Sequence, residues 1–418
     1  MNAIAIEATD KGTSTAWEIP RLAAKLLWRH WPALLFWFFA MRVSYGLMMD
    51  AAIWLAETSV LLSYAAIAAL IVAQLAGTIA MFLSLRPSLP MLEQARTTLR
   101  GPAQRPWIDA LAVALLPFFA YYATWGLLEG IKRDFRLQYI FGIWYEQQEP
   151  LGDILSVKGV WIALIVAWAV RWIAKKRAAA TGHARWLILS TACEAYWVYV
   201  GVAVIAKLIG TAKDWWHGRA VYVAVANWWE NPLAFYQMLP AIKRVLVPAW
   251  DFLTTAAGAA LLPLIWLAIT AIVYGLDLRR GARIDAADAR LRYLGRRYRN
   301  LPMLARKVAD KASAGWNNKG VPVVNSLRLV LRAGLPALLM LCVCWQLLAF
   351  VDAWAWRVAV NLIGPNDPAW WSVIGQPIGL LFNGPLSLRP ALFTEMMRVV
   401  LLAATFGVAI SRLRPLRR

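Results

Sequence analysis

Residues 62–84 read LSYAAIAALIVAQLAGTIAMFLS, 23 positions without a charge, closed by Leu85, Arg86 and Pro87. At 1.5 Å per residue, such a run covers a hydrocarbon core of about 30 Å. Comparable runs recur near 31–49, 108–128, 159–174, 187–209, 252–275, 333–351 and 391–410. The whole chain of 418 residues is 61% hydrophobic and only 16% charged. That composition lies outside the soluble globular range. It predicts an all-α protein: a polytopic transmembrane helical bundle of about eight spans, with interfacial amphipathic helices.

The cations order these runs. Arg86, Arg96, Arg100 and Arg105 follow the second run, and Arg171, Lys175, Lys176, Arg177 and Arg185 surround the end of the fourth. The densest set runs from Arg279 to Arg332 after the sixth, and Arg412, Arg414, Arg417 and Arg418 follow the eighth. Lys11, Arg21, Lys25 and Arg29 precede the first run, whereas none occurs between Asp50 and Leu61. Alternate gaps therefore differ about three to one in Lys and Arg, the signature of positively charged cytoplasmic segments. This predicts four in-out-in hairpins in the plasma (inner) membrane, with both termini cytoplasmic. The first 14 residues contain no apolar core of a signal peptide, so the first span is expected to serve as an uncleaved anchor.

The expected organisation follows. Residues 1–30 form a cytoplasmic amphipathic lead-in, and 31–278 hold the first three hairpins. Residues 279–332 form a basic cytoplasmic loop, 333–411 the fourth hairpin, and 412–418 a basic tail. The segment 283–311 places nine cations and three acids among leucines and tyrosines at helical spacing, predicting an amphipathic helix on the membrane surface. Arg292, Arg296, Arg297 and Arg299 are its candidate contacts to anionic lipid. Docking of a cytoplasmic or membrane protein subunit is the competing use of the same helix. The net charge of +21 is accounted for by this topology, and no compact nucleic-acid recognition motif is visible, so no nucleic-acid partner is expected.

Two further sets of residues carry functional expectations. Of the 25 tryptophans, Trp215, Trp216, Trp228, Trp229, Trp370 and Trp371 fall in predicted outer loops. Indole tolerates both headgroup and acyl surroundings, so these side chains either cap the bundle or line an opening for an amphipathic substrate. Among ionisable residues within the runs, four are candidates: Arg42, Glu194, Glu395 and Arg398. Charge at membrane depth is costly and marks candidate substrate or gating positions. Arg42 and Arg398 fall at similar depth in the first and last spans, and Glu395 shares a helix face with Arg398 at i, i+3. These three are expected to cluster and bind an anionic headgroup, or else the arginines snorkel to the interface. Glu194 is too short to snorkel and is expected to be protonated or hydrogen-bonded.

Catalytic signals are poor. His30, His183 and His217 are far apart, and Cys193, Cys342 and Cys344 have neither disulfide nor zinc spacing. Phosphate-binding loops, serine elbows and zinc-protease motifs are missing from the sequence. We expect no catalytic residue, no metal and no cofactor. The expected role is transport or lipid handling without covalent chemistry. The alternatives are a scaffold or anchor subunit of a cell-envelope complex, and an intramembrane transferase using carboxylates of the 131–157 loop.

Overall fold

The computed structural model describes residues 17–89, 127–143, 159–181, 183–220, 222, 240–274, 335–382 and 391–412. Within them the chain forms nine α-helices and no strand: α1 (Glu18–Thr58), α2 (Val60–Leu85), α3 (Leu127–Ile143), α4 (Val160–Thr181), α5 (Ala184–His217), α6 (Pro240–Val273), α7 (Leu335–Ile363), α8 (Pro368–Leu381) and α9 (Leu392–Arg412). A single 3-10 turn, Arg86–Ser88, closes α2. Two compact units are present, one comprising Met1–Leu47, Ile71–Tyr122 and Pro263–Arg418, the other Met48–Leu70 and Ala123–Leu262.

Among the described residues, four helices are long and apolar enough to cross a membrane: Glu18–Thr58, Val60–Ser88, Leu335–Ile363 and Leu392–Ser411. They contain the predicted runs 31–49 and 62–84, the run 333–351 but for its first two residues, and the run 391–410 but for its first. The run 252–275 yields a shorter apolar helix, Gly258–Val273. The runs 159–174 and 187–209 are helical as α4 and α5. Their apolar text is cut by Arg171, Lys175, Lys176 and Arg177 in α4 and by Arg185, Glu194 and Lys207 in α5. Most of the run 108–128, the basic loop 279–332 and the tail 413–418 fall outside the described residues.

Helix α1 is longer than the sequence expectation. It continues unbroken from the lead-in through Pro32 and on to Thr58, so residue 31 marks no helix boundary. Forty-one residues span about 62 Å at 1.5 Å per residue, twice a hydrocarbon core. Alanine, leucine and methionine dominate its second half and favour the helix, and nothing stops it before Ser59. Ser59 is the whole connection to α2; its amide donates to Leu55 O, and its carbonyl accepts from the amides of Leu62 and Ser63.

The buried positions of α1 repeat every three or four residues, as Leu22, Leu26, Leu34, Phe38, Met41 and Tyr45. Its exposed side is equally apolar, carrying Trp28, Trp31, Phe36, Phe39, Val43 and Leu47. Helix α7 repeats the pattern, exposing Leu335, Leu339, Val343, Leu347, Phe350 and Trp354 along one stripe. A helix apolar on all sides, yet buried on only one, is suited to a lipid surrounding.

Polar groups between α1 and α2 are satisfied locally. Gln74 Nε2 donates to Met41 O at 3.0 Å, Trp37 Nε1 donates to Ser84 Oγ at 3.2 Å, and His30 Nε2 lies 2.6 Å from Ser88 Oγ. Thr78 Oγ1 donates to Gln74 O at 3.0 Å. Gly77 permits this approach, because a Cβ there would collide with the Met41 side chain.

Helix α9 is the innermost helix of its unit. Residues 399–410 are buried without interruption, so no side of this helix faces the exterior over three turns. Ala403, Ala404, Gly407 and Ala409 keep it slim. A Cβ on Gly407 would lie 3.1 Å from Leu89 and 3.8 Å from Leu22. Phe406 stacks on Tyr274 at 5.5 Å, and the Tyr274 hydroxyl donates to Phe82 O at 3.1 Å, which ties α9, the end of α6 and α2 together. Helix α7 packs along α9, with the short α8 touching both. Gly364, at φ +77°, ends α7 in the left-handed region that glycine tolerates. Asp367 then caps α8 by accepting from Ala369 N at 2.8 Å.

Replacing Gly77 by leucine should lower the unfolding midpoint in mild detergent by an amount equivalent to about 1–3 kcal/mol, the usual cost of overpacking. Gly46→Ala, where no atom lies within 4 Å of the new Cβ, should be neutral in the same assay. Equal tolerance at both positions would disprove the close α1–α2 contact.

Candidate functional site

Arg398 stands in the second turn of α9, where the helix is still half-buried. Its guanidinium carbon lies 5.0 Å from the centre of the Trp345 ring on α7, a cation-π arrangement. The Nε is buried and has no hydrogen-bond partner among the described residues. One turn earlier on the same face, Thr394 is 1% exposed, and its Oγ1 is likewise unpartnered. Two donors are thus directed from one helix face without acceptors, a state that ordinarily costs about 1–3 kcal/mol per group. Glu395, half-buried, lies three residues before Arg398 on the same helix. A cation over a ring face, with donors to spare, is equipped to receive a hydrogen-bond acceptor.

Arg42 is half-buried on α1, next to Met41, whose carbonyl accepts from Gln74. The defined neighbour of Arg398 is therefore an aromatic ring, which the sequence reading did not name. Trp345 is 4% exposed and was hidden among apolar residues of a span. The spacing across the α7–α9 connection was its only signal, and that connection is too long to fix a register. Asp352 was also missed. It is a buried and partnered carboxylate seven residues after Trp345, on the same face of α7. The run 333–351 stopped one residue short of it.

Glu194 belongs to the other unit, and its principal neighbour is a cation. Arg171 Nε on α4 lies 3.4 Å from Glu194 Oε2 on α5, with both side chains mostly buried. This is an ion-pair distance, although Nε is not aligned for a hydrogen bond. The sequence reading named no cation beside this carboxyl. The signal for one was present in the sequence. Helices α4 and α5 are joined by Gly182 and His183 alone, and Arg171 and Glu194 are equidistant from that turn, so an antiparallel hairpin must bring them level. Arg171 had been grouped with the cations of a loop. In the structure, Arg171, Lys175, Lys176, Arg177 and Arg185 all ride on helices.

The outer-interface aromatics divide into two described pairs. Trp215 and Trp216 are exposed in the last turn of α5, with Arg219 over the Trp215 ring at 4.0 Å. Trp370 and Trp371 open α8 with rings at 5.7 Å and 81°. At 14 residues, α8 is about 21 Å long, too short to span a hydrocarbon core. Trp228, Trp229, Arg292, Arg296, Arg297 and Arg299 lie outside the described residues. Among the described residues no three His, Cys, Asp or Glu side chains are grouped to hold a metal ion. Comparison with family models, curated proteins and solved structures finds no match to this chain.

Exchanging the charges of the α4–α5 pair tests its register. Arg171→Glu and Glu194→Arg alone should each destabilise the protein, and the double exchange should recover about 0.5–2 kcal/mol relative to the sum of the two. Chemical unfolding in detergent reads the outcome, and strictly additive losses would remove the pair.

Proposed function

We propose that this is a polytopic plasma (inner) membrane protein of about eight spans, with cytoplasmic termini, that works without covalent chemistry in transport or lipid handling. Residues near Arg398 would receive the anionic end of an amphipathic ligand. The observation that carries this reading is the pair of unsatisfied donors, Arg398 Nε and Thr394 Oγ1, beside Trp345. An aromatic face and a guanidinium fork suit a ligand that joins an apolar body to a phosphate or carboxylate. The eight-span topology rests on alternating cation density and on the lengths of the apolar runs. In this arrangement α8 and the tryptophans at the end of α5 lie in the outer interface.

A second reading is a scaffold or anchor subunit of an envelope complex. It is favoured by the uninterrupted burial of residues 399–410, which leaves no open path along α9 itself.

Topology is tested by single cysteines in a variant lacking Cys193, Cys342 and Cys344. Ser156→Cys should react with an impermeant thiol reagent from outside, and Ser313→Cys only after the membrane is opened; the reverse pattern overturns the orientation.

The ligand reading is tested on purified protein with dodecyl phosphate as the probe. Arg398→Ala should weaken binding about tenfold, near 1.4 kcal/mol. Arg389→Ala should bind like the parent. Undiminished binding by Arg398→Ala would favour the scaffold reading.

A further inference from the structure

The turn between α4 and α5 gathers positive charge that the protein itself does not neutralise. Arg177 on α4 and Arg185 on α5 converge on one indole, their guanidinium carbons 5.7 Å and 5.9 Å from the centre of the Trp186 ring. One turn back along α4, Lys176 Nζ stands 3.6 Å above the Trp172 ring. Lys175 and His183 lie exposed in the same region. No Asp or Glu occurs between Asp153 and Glu194, and Glu194 faces Arg171. Two exposed guanidinium groups facing one ring, with no carboxylate paired to them among the described residues, leave their charge available to an external anion.

The surroundings specify which anion. Along α4, the exposed side chains before the cations are Ile165, Val166, Trp168, Trp172 and Ile173. Along α5, Arg185 and Trp186 are followed by exposed Ile188 and Leu189. On α5 the order away from the turn is therefore cation, tryptophan, exposed aliphatic surface, and on α4 the cations give way to Ile173 and Trp172 and then to Trp168, Val166 and Ile165. That sequence of layers matches phosphate, glycerol and acyl chain in a phospholipid leaflet. A soluble anion would have no use for the aliphatic layer.

We propose that the α4–α5 turn is a binding site for the phosphate of an anionic phospholipid, with Arg177 and Arg185 holding the headgroup around Trp186 and Lys176 beside it. The acyl chains lie along the exposed aliphatic residues of the two helices. This site is separate from Arg398 and holds whether or not that residue meets a ligand. It adds a lipid contact to the one expected of the basic 279–332 loop.

Native mass spectrometry of the full-length protein in non-ionic detergent tests the site, with phosphatidylglycerol and phosphatidylcholine as probes. The parent protein should hold phosphatidylglycerol roughly 25-fold more tightly, and R177Q/R185Q should lose most of that preference, each cation contributing about fivefold near a lipid surface. R414Q/R417Q removes the same charge elsewhere and should bind like the parent. Unchanged phosphatidylglycerol binding by R177Q/R185Q overturns the proposal, as does equal loss in R414Q/R417Q. Displacement of the lipid by millimolar inorganic phosphate would mark a soluble-anion site and also overturn it. Should R177Q/R185Q lose its helical circular dichroism, the parent protein decides alone, since equal affinity for the two lipids is incompatible with the site.

Discussion

The constraint that the four membrane-suited helices answer is a surrounding without water. In hydrocarbon, each unsatisfied backbone group costs several kcal/mol, so the chain closes its hydrogen bonds within helices and has no strand among the described residues. The hydrophobic effect cannot then distinguish the inside of a helix from its outside. Helices α1 and α7 show this directly: Leu34 and Phe36, or Leu338 and Leu339, face opposite surroundings with similar chemistry. What selects the buried face is shape and residual polarity. Gly77 and Gly407 allow backbones to approach, and Gln74, Trp37 and Tyr274 place hydrogen bonds where two helices meet.

This explains why the helical class was legible in the sequence and the arrangement was not. Long apolar runs announce themselves by length, and the four helices suited to crossing a membrane coincide with runs at 31–49, 62–84, 333–351 and 391–410. Helix ends were less legible. A span ends at the membrane surface, but a helix ends only at a breaker. Between Glu18 and Arg29 the one proline, Pro20, sits in the first turn, where it is tolerated, and Asp50 to Thr58 contain neither proline nor glycine, so α1 outruns its apolar core in both directions. The cations between α4 and α5 were read as a loop for the same reason, although lysine, arginine and alanine are good helix formers.

The candidate sites follow the same division. Arg398, Glu395 and Glu194 could be found because charge within an apolar run is conspicuous. Their neighbours could not, because a partner such as Trp345 looks like any other apolar residue until the register of two helices is known. The α4–α5 hairpin is the exception: a connection of only Gly182 and His183 fixes the register, and Arg171 opposite Glu194 follows from counting.

The charged groups are managed in three ways, and the differences bear on their roles. Arg171 and Glu194 neutralise each other, which makes their pair an internal fastening of the hairpin. Arg177 and Arg185 share an aromatic ring and pair with no acid among the described residues, which leaves their charge directed outward. Arg398 is intermediate, with a ring face, a neighbouring carboxylate and a donor left over. A structural arginine in an apolar setting gains by satisfying every donor it has, because each unmet donor raises the energy of the folded state. Arg171 Nε also lacks a hydrogen bond, but it faces a carboxylate oxygen at 3.4 Å, whereas Arg398 Nε has no such partner among the described residues; the proposed acceptor would supply one.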